Sequence, residues 1–214
     1  MNKKKAIIFD MDGVLIDSEP LWQAAQIESL SSLGVTITSY DCERLTMGKR
    51  IDELVRTWCD EYVLSTTQQE LEERIISNLC KRIRSTGQAM NGVQDALAYF
   101  ANQGFRIALA TSSSHVVIRA VFERLQLWDK FELICSAEDE VHGKPHPDVY
   151  LTAARKLNLD VTECLVIEDS FTGLTAAKRA NITTYLVSPH CDNEQFCIAD
   201  GHFNNLNALL DSMQ

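Results

Sequence analysis

Short apolar runs rich in β-branched residues alternate with longer stretches of helical spacing along most of the chain. Ala6–Phe9, Phe105–Ala110, Leu133–Cys135, Cys164–Ile167 and Thr184–Val187 read as buried strands. Between the later runs, Val93, Ala96, Leu97, Phe100 and Ala101 recur on one helical face. Ile118, Val121, Phe122 and Leu125 repeat the pattern, as do Tyr150, Leu151, Ala154 and Leu157. Strand alternating with helix predicts an α/β fold, a parallel sheet with helices on both faces.

One connection breaks this rhythm. The first strand ends near Phe9 and the next begins near Phe105, far longer than a usual strand-to-strand connection. The intervening chain carries helical signals and no convincing strand. Pro20 opens a helix that ends near Gly34, although the apolar positions there cluster loosely. Ile51, Leu54, Val55, Trp58 and Cys59 form an amphipathic stripe, and so do Leu71, Ile75, Ile76, Leu79 and Ile83. Residues 18–88 are therefore expected to form a helical insert on a core made of 1–17 and 89–214. Its junctions, Asp17-Ser18-Glu19 and Met90-Asn91-Gly92, are polar or turn-forming and suit hinges.

In open parallel sheets, ligands bind beyond the carboxyl ends of the strands. The first strand ends in Asp10-Met11-Asp12-Gly13 and the second in Thr111-Ser112-Ser113-Ser114. Gly143-Lys144-Pro145 follows the third, and the fourth ends in Glu168-Asp169-Ser170. A single polar strand end is what any loop supplies. Polar groups after four strands in succession point to a shared site. Asp10 and Asp12, two apart on an extended chain, point to the same side. They repel each other, and Asp169 adds to the repulsion, so such a cluster needs a cation. Oxygen donors beside phosphate suit Mg²⁺.

The formal net charge is −10, which disfavours a nucleic-acid or anionic-membrane binder. A phosphate ester is still compatible if the site carries local positive charge. The basic start with Lys3–Lys5 leads into too short an apolar run for a secretory leader, and no stretch is long enough to span a bilayer. Seven cysteines, an odd number without Cys-x-x-Cys, fit reduced thiols and a cytoplasmic location.

Asp10-x-Asp12-Gly-x-Leu15, a strand running into Thr111, Gly143-Lys144-Pro145 and Glu168-Asp169 together resemble the haloacid dehalogenase superfamily. The resemblance covers nearly the whole chain. It implies a Rossmann-like core, and the insert resembles that superfamily's first cap type. Asp17-Ser18-Glu19-Pro20-Leu21-Trp22, Gly48-Lys49-Arg50-Ile51-Asp52 and Lys144-Pro-His-Pro-Asp-Val-Tyr150 are similar to its sugar-phosphate phosphatases. Among these it is similar to bacterial hexitol and 2-deoxyglucose-6-phosphate phosphatases, with β-phosphoglucomutases nearby.

The resemblance implies a Mg²⁺-dependent phosphatase acting on a small phosphorylated metabolite through an aspartyl-phosphate, and a monomer is expected. Asp10 is then the nucleophile. Asp12 protonates the leaving alcohol and afterwards activates water. Thr111 and the Ser112 N–H hold phosphoryl oxygens, with Met11 completing the phosphate-binding set, and Lys144 neutralises charge on Asp10 and the phosphoryl group. Asp10, Asp12 through its carbonyl, and Asp169 hold Mg²⁺, with Glu168 orienting or sharing its shell. Glu19 meets sugar hydroxyls from the cap. Lys49 and Arg50 either face the site or end a solvated helix.

Two other readings compete. A phosphomutase would use the same covalent chemistry, but related mutases control proton transfer with a cap-linker histidine. Here no histidine precedes His115, and the helix after Asp17 carries Trp22 and Gln23. A non-catalytic sugar-phosphate binding module would not need every chemical position filled. Ser112, Ser113 and His115 lack a Gly-x-Ser-x-Gly elbow and do not suggest a serine nucleophile. His142 and His146, with no cysteine or third ligand at standard spacing, read as ordinary loop histidines.

Overall fold

A computed structural model of the protein describes residues 4–213. Six parallel strands form one sheet: β1 (Ala6–Phe9), β2 (Arg106–Thr111), β3 (Leu133–Ser136), β4 (Cys164–Glu168), β5 (Thr183–Val187) and β6 (Gly201–Phe203). Their order is β3-β2-β1-β4-β5-β6, so the chain reverses direction across the sheet beside β1. The five expected strands are present, β1 with the expected ends and the others with one or both ends shifted by one residue. Thr111 belongs to β2 because it pairs with Ser136. The sixth strand was not anticipated, since three residues are too short to show a period.

Alternation along the central strands divides the core. Ile7, Phe9, Leu109 and Ile167 face α5 (Val93–Asn102), α6 (His115–Leu125) and α9 (Leu206–Met213). Ala6, Ile8, Ala108, Ala110 and Val166 face α7 (Asp148–Lys156) and α8 (Phe171–Arg179). The second face is lined mostly by alanines, which lets these helices approach the sheet closely. Each fully buried Ile, Leu or Phe contributes about 1.5–3 kcal/mol relative to exposure.

The insert consists of α1 (Glu19–Ser31), α2 (Ser39–Leu45), α3 (Ile51–Glu61) and α4 (Gln68–Thr86). Thr38 and Thr67 begin α2 and α4 with capping boxes closed by Asp41 and Glu70. Leu30, Leu54, Val55, Trp58, Leu71 and Ile75 make a separate hydrophobic cluster. The loose stripe of α1 is explained by what it buries. Gln26 sits inside and accepts from Trp58 Nε1 at 2.9 Å and Thr46 Oγ1 at 2.8 Å. The far half of α4, with Leu79, Cys80 and Ile83, joins the core cluster beneath the sheet helices. At the base, the two connecting segments run side by side. Asp17 N donates to Gln88 O at 3.0 Å, Met90 N donates to Leu15 O at 3.1 Å, and Ile16 bridges Ala89.

Of the basic start, Lys3 lies outside the described residues. The Lys4 ammonium donates to Thr183 Oγ1 at 2.6 Å and to the Cys164 carbonyl at 2.8 Å, tying the start of β1 to β4 and β5. All seven cysteines are free thiols, five of them buried. Among the described residues no helix is long and apolar enough to cross a membrane.

Candidate active site

The carboxyl ends of β1, β2 and β4 meet at one edge of the sheet. Asp10 leaves β1 with its N–H on Ile167 O at 2.9 Å, so the β1–β4 pairing fixes its position. Beyond it the chain turns sharply, and Met11 O accepts from Leu15 N at 2.8 Å. Gly13 sustains this turn at φ +75°. A Cβ there would lie 2.1 Å from Asp169 Oδ2, so glycine is required both for the conformation and for the approach of Asp169.

Lys144 reaches in from the loop after β3, and its ammonium is the hub of the site. It donates to Asp10 Oδ1 at 2.6 Å, Glu168 Oε1 at 2.7 Å and Ala110 O at 3.2 Å. The ammonium also lies 4.8 Å from the Tyr150 ring centre. Lys144 and Asp10 are only 7% and 6% exposed, so these charges meet with little water. Glu168 is saturated. Oε1 also accepts from Tyr150 Oη at 2.7 Å, and Oε2 accepts from Asp169 N, Ser170 N and Ser170 Oγ at 3.0–3.1 Å. Gly173 makes room for it, since a Cβ there would sit 1.6 Å from Glu168 Oε1.

The electrostatics follow from charge count. Burial pushes the Asp10 carboxyl up to about 7, with Glu168 and Asp12 adding to the rise and Lys144 opposing it. Burial, then Glu168 and Asp10, raise Asp169 well above the usual carboxylate range. Glu168 goes the other way: burial would raise it, but Lys144 together with the hydrogen bonds from Tyr150 and Ser170 holds it down. Burial would likewise lower Lys144, yet Asp10 and Glu168 raise it. One ammonium thus serves three carboxylates, Asp10 and Glu168 buried and Asp169 half-buried, whose oxygens lie within 4.8 Å of one another. Fully ionised, the group carries two excess negative charges. An all-oxygen donor set with that deficit fits a hard divalent cation.

Asp12 is held from three directions. Oδ1 accepts from Ser18 Oγ at 2.5 Å and Trp22 Nε1 at 3.1 Å, and Oδ2 accepts from Ser113 Oγ at 2.7 Å. Two of these donors belong to the entrance of the insert, so Asp12 is where core and insert meet. Thr111 is fully buried, and its Oγ1 accepts from Ser113 N at 3.1 Å; Ser112 is half-buried on the same turn. The Met11 side chain is fully buried in the core, which leaves only its backbone for the site. Glu19 is half-buried at the start of α1 and accepts from Gln23 Nε2 at 3.0 Å; burial raises its carboxyl. Lys49 and Arg50 do not reach the Asp10 cluster. Lys49 donates to Thr57 Oγ1, while Arg50 grips Asp52 at 2.6 and 2.9 Å and donates to Ala137 O and Glu140 O on the core.

Tyr150, Ser170, Trp22, Ser18 and Ser113 stand in the quoted motifs or beside them, but sequence reasoning gave them no role at the site, and it did not single out Gly173. Tyr150 lies on an apolar helical stripe and reads as core, although a buried phenol always needs a partner for its hydroxyl. Gly173, within α8, was the visible signal of a close approach.

The model of the family described as "Haloacid dehalogenase-like hydrolase" matches residues 7–187. Hexitol phosphatase B of Escherichia coli (strain K12) is 37% identical over 207 residues, covering 95% of this chain and 93% of that protein. A phosphorylated carbohydrates phosphatase of Thermotoga maritima is 32% identical over 179 residues, covering 83% and 82%. A solved structure described as a putative β-phosphoglucomutase from Thermotoga maritima superposes with a TM-score of 0.79 at 27% identity, covering 98% of both chains. With its strand-end carboxylates, central lysine and family match over most of its length, this chain belongs to the haloacid dehalogenase-like hydrolases.

Proposed function

We propose that this phosphatase hydrolyses small phosphorylated sugars or sugar alcohols by attack of the Asp10 carboxylate on phosphorus. The observation that carries the reading is the Asp10–Lys144 contact at 2.6 Å, buried at the sheet edge beside Asp169. Carboxylates are competent phosphorus nucleophiles. Their difficulty is repulsion from the phosphate dianion. A lysine charge about 4 Å from one such anion offsets roughly 4 kcal/mol at an effective dielectric of 20.

In the first step Asp10 Oδ bonds to phosphorus, and the ester oxygen leaves with a proton from Asp12. In the second, Asp12 takes a proton from water, which attacks phosphorus and restores the Asp10 carboxylate. Thr111 and the Ser112 N–H receive phosphoryl oxygens. The fit of the carboxylate group to a divalent ion supports a Mg²⁺ that Asp10, Asp169 and the Asp12 carbonyl would hold. When bound, it supplies charge neutralisation and a template for in-line displacement. Glu168 already takes five hydrogen bonds, so its part is to orient Lys144 rather than to ligate the ion.

The insert serves as a cap over this edge, and Glu19 at its first turn meets substrate hydroxyls. The names of the relatives, a hexitol phosphatase and a phosphorylated-carbohydrate phosphatase, support the substrate class. Trp22 argues against mutase chemistry. Its indole N–H donates to Asp12 but does not titrate, so it has no proton to lend or take. Incubation with β-glucose 1-phosphate separates the two: free phosphate supports hydrolysis, and glucose 6-phosphate a mutase.

Asp10→Asn tests the mechanism. Turnover of sugar phosphates in Mg²⁺ is expected to fall at least about a thousandfold, roughly 4 kcal/mol of barrier. Retained activity in that variant would refute nucleophilic attack by Asp10.

A further inference from the structure

Outside the Asp10 cluster, the described residues hold one other group with the makings of a metal seat: His142, His146 and Asp148. The local backbone brings them together. His146 N donates to Gly143 O at 2.9 Å, and this turn sets the two imidazoles face against face, with ring centres 4.6 Å apart and planes inclined by 32°. Both rings aim Nδ1 at one carboxylate: His146 lies 2.9 Å from Asp148 Oδ1, and His142 lies 3.6 Å from Asp148 Oδ2. The sequence spacing hid this third donor, because Asp148 follows His146 by two residues and opens α7.

The scaffold under the three is tied down. Lys144 is bound to Asp10 and Glu168, and Arg179 Nη1 donates to Pro145 O at 3.0 Å. The loop carrying both histidines is thus held on the core side, while the rings themselves are open to water, with side chains 61% and 47% exposed. Two histidines on a rigid loop, turned onto one aspartate, form a preorganised facial set of donors.

We propose that His142, His146 and Asp148 bind a borderline divalent cation, Zn²⁺, with water completing its coordination. Imidazole and carboxylate donors select Zn²⁺ over the hard Mg²⁺ that suits an all-oxygen cluster. Tetrahedral Zn²⁺ with ligands near 2.1 Å places donor atoms about 3.4 Å apart. The donors here lie within 4.8 Å of one another, so modest rotation of exposed side chains closes the set. The ligands bracket Gly143-Lys144-Pro145, so an ion seated there clamps the segment that delivers Lys144 to the nucleophile.

The test measures binding rather than turnover, so its failure is separable from failure of the phosphatase mechanism. The full chain, in saturating Mg²⁺ to occupy the carboxylate cluster and with reductant present, is titrated with Zn²⁺ against a chromogenic zinc chelator. His142→Ala, His146→Ala and Asp148→Asn are run beside it, with circular dichroism to verify folding. The wild type is expected to bind one equivalent that each histidine variant loses or holds roughly 10- to 100-fold more weakly. Zn²⁺ is expected to raise the melting temperature of the wild type and not of His146→Ala. Equal Zn²⁺ uptake by wild type and both histidine variants would assign the metal to thiols or carboxylates elsewhere and overturn the proposal. An absence of uptake by the wild type at micromolar free ion would overturn it as well.

Discussion

Asp12 receives one hydrogen bond from the core, Ser113 Oγ, and two from the insert, Ser18 Oγ and Trp22 Nε1. In the proposed mechanism Asp12 hands a proton to a leaving oxygen, and a group in that role gains from being held at one angle. Trp22→Phe keeps an aromatic ring at the partly buried position, removes the indole donor and trims some packing volume. The expected outcome is a kcat about tenfold lower, near 1.4 kcal/mol, with KM little changed. Steady-state kinetics on a sugar phosphate checks this; a change confined to KM would place Trp22 in substrate binding instead. At this scale the charged half of the site was legible, because Asp10, Lys144, Glu168 and Asp169 stand at or after strand ends, where only ligands or loops call for them. The aromatic half was not. Tyr150 and Trp22 belong to helices whose apolar spacing accounts for them equally well, and only coordinates show where their polar tips point.

Among the elements, the loop before α3 adds a polar tie between insert and core to the apolar seat of α4. Arg50, locked in bidentate contact with Asp52, donates to two carbonyls of the 137–140 segment across the gap. The contact is partly solvated, so its worth to folding is small, under about 1 kcal/mol. It spans from insert to core, so its effect is expected on the seating of the insert over the proposed site more than on folding. Arg50→Ala is expected to raise KM several-fold while shifting the unfolding midpoint little; unchanged KM would show that this contact plays no part in closure. Sequence periodicity found α3 and both halves of α4 but blurred α1, whose buried face includes Gln26 and Ser29. A polar residue placed inside a helical bundle breaks the apolar stripe that marks it. Periodicity also left unmarked that α4 serves two cores, with Ile75 in one and Ile83 in the other.

For the molecule as a whole, the buried surplus of negative charge is a cost that a bound cation removes. Mg²⁺ is therefore expected to stabilise the fold as well as to support turnover. At a hundredfold excess over its dissociation constant the gain is about 2.7 kcal/mol. For a chain of this size that corresponds to a rise in melting temperature of roughly 5–10 °C. Asp169→Asn, which takes one carboxylate from the group, is expected to shrink that rise. An identical Mg²⁺ response in both proteins would place the ion elsewhere. The architecture was legible because alternating strand and helix leave few topologies open, and because an interval from Phe9 to Phe105 without a strand announces an insert. The edge strand β6 escaped because three residues carry no period.

The two segments joining insert to core lie side by side, bridged between Ile16 and Ala89. A module that departs and returns through one narrow doorway can be exchanged without rerouting the sheet. With the insert acting as the proposed cap, transplanting the stretch between those two residues is expected to change ester selectivity, provided the graft keeps apolar side chains at 79, 80 and 83 to seat on the host.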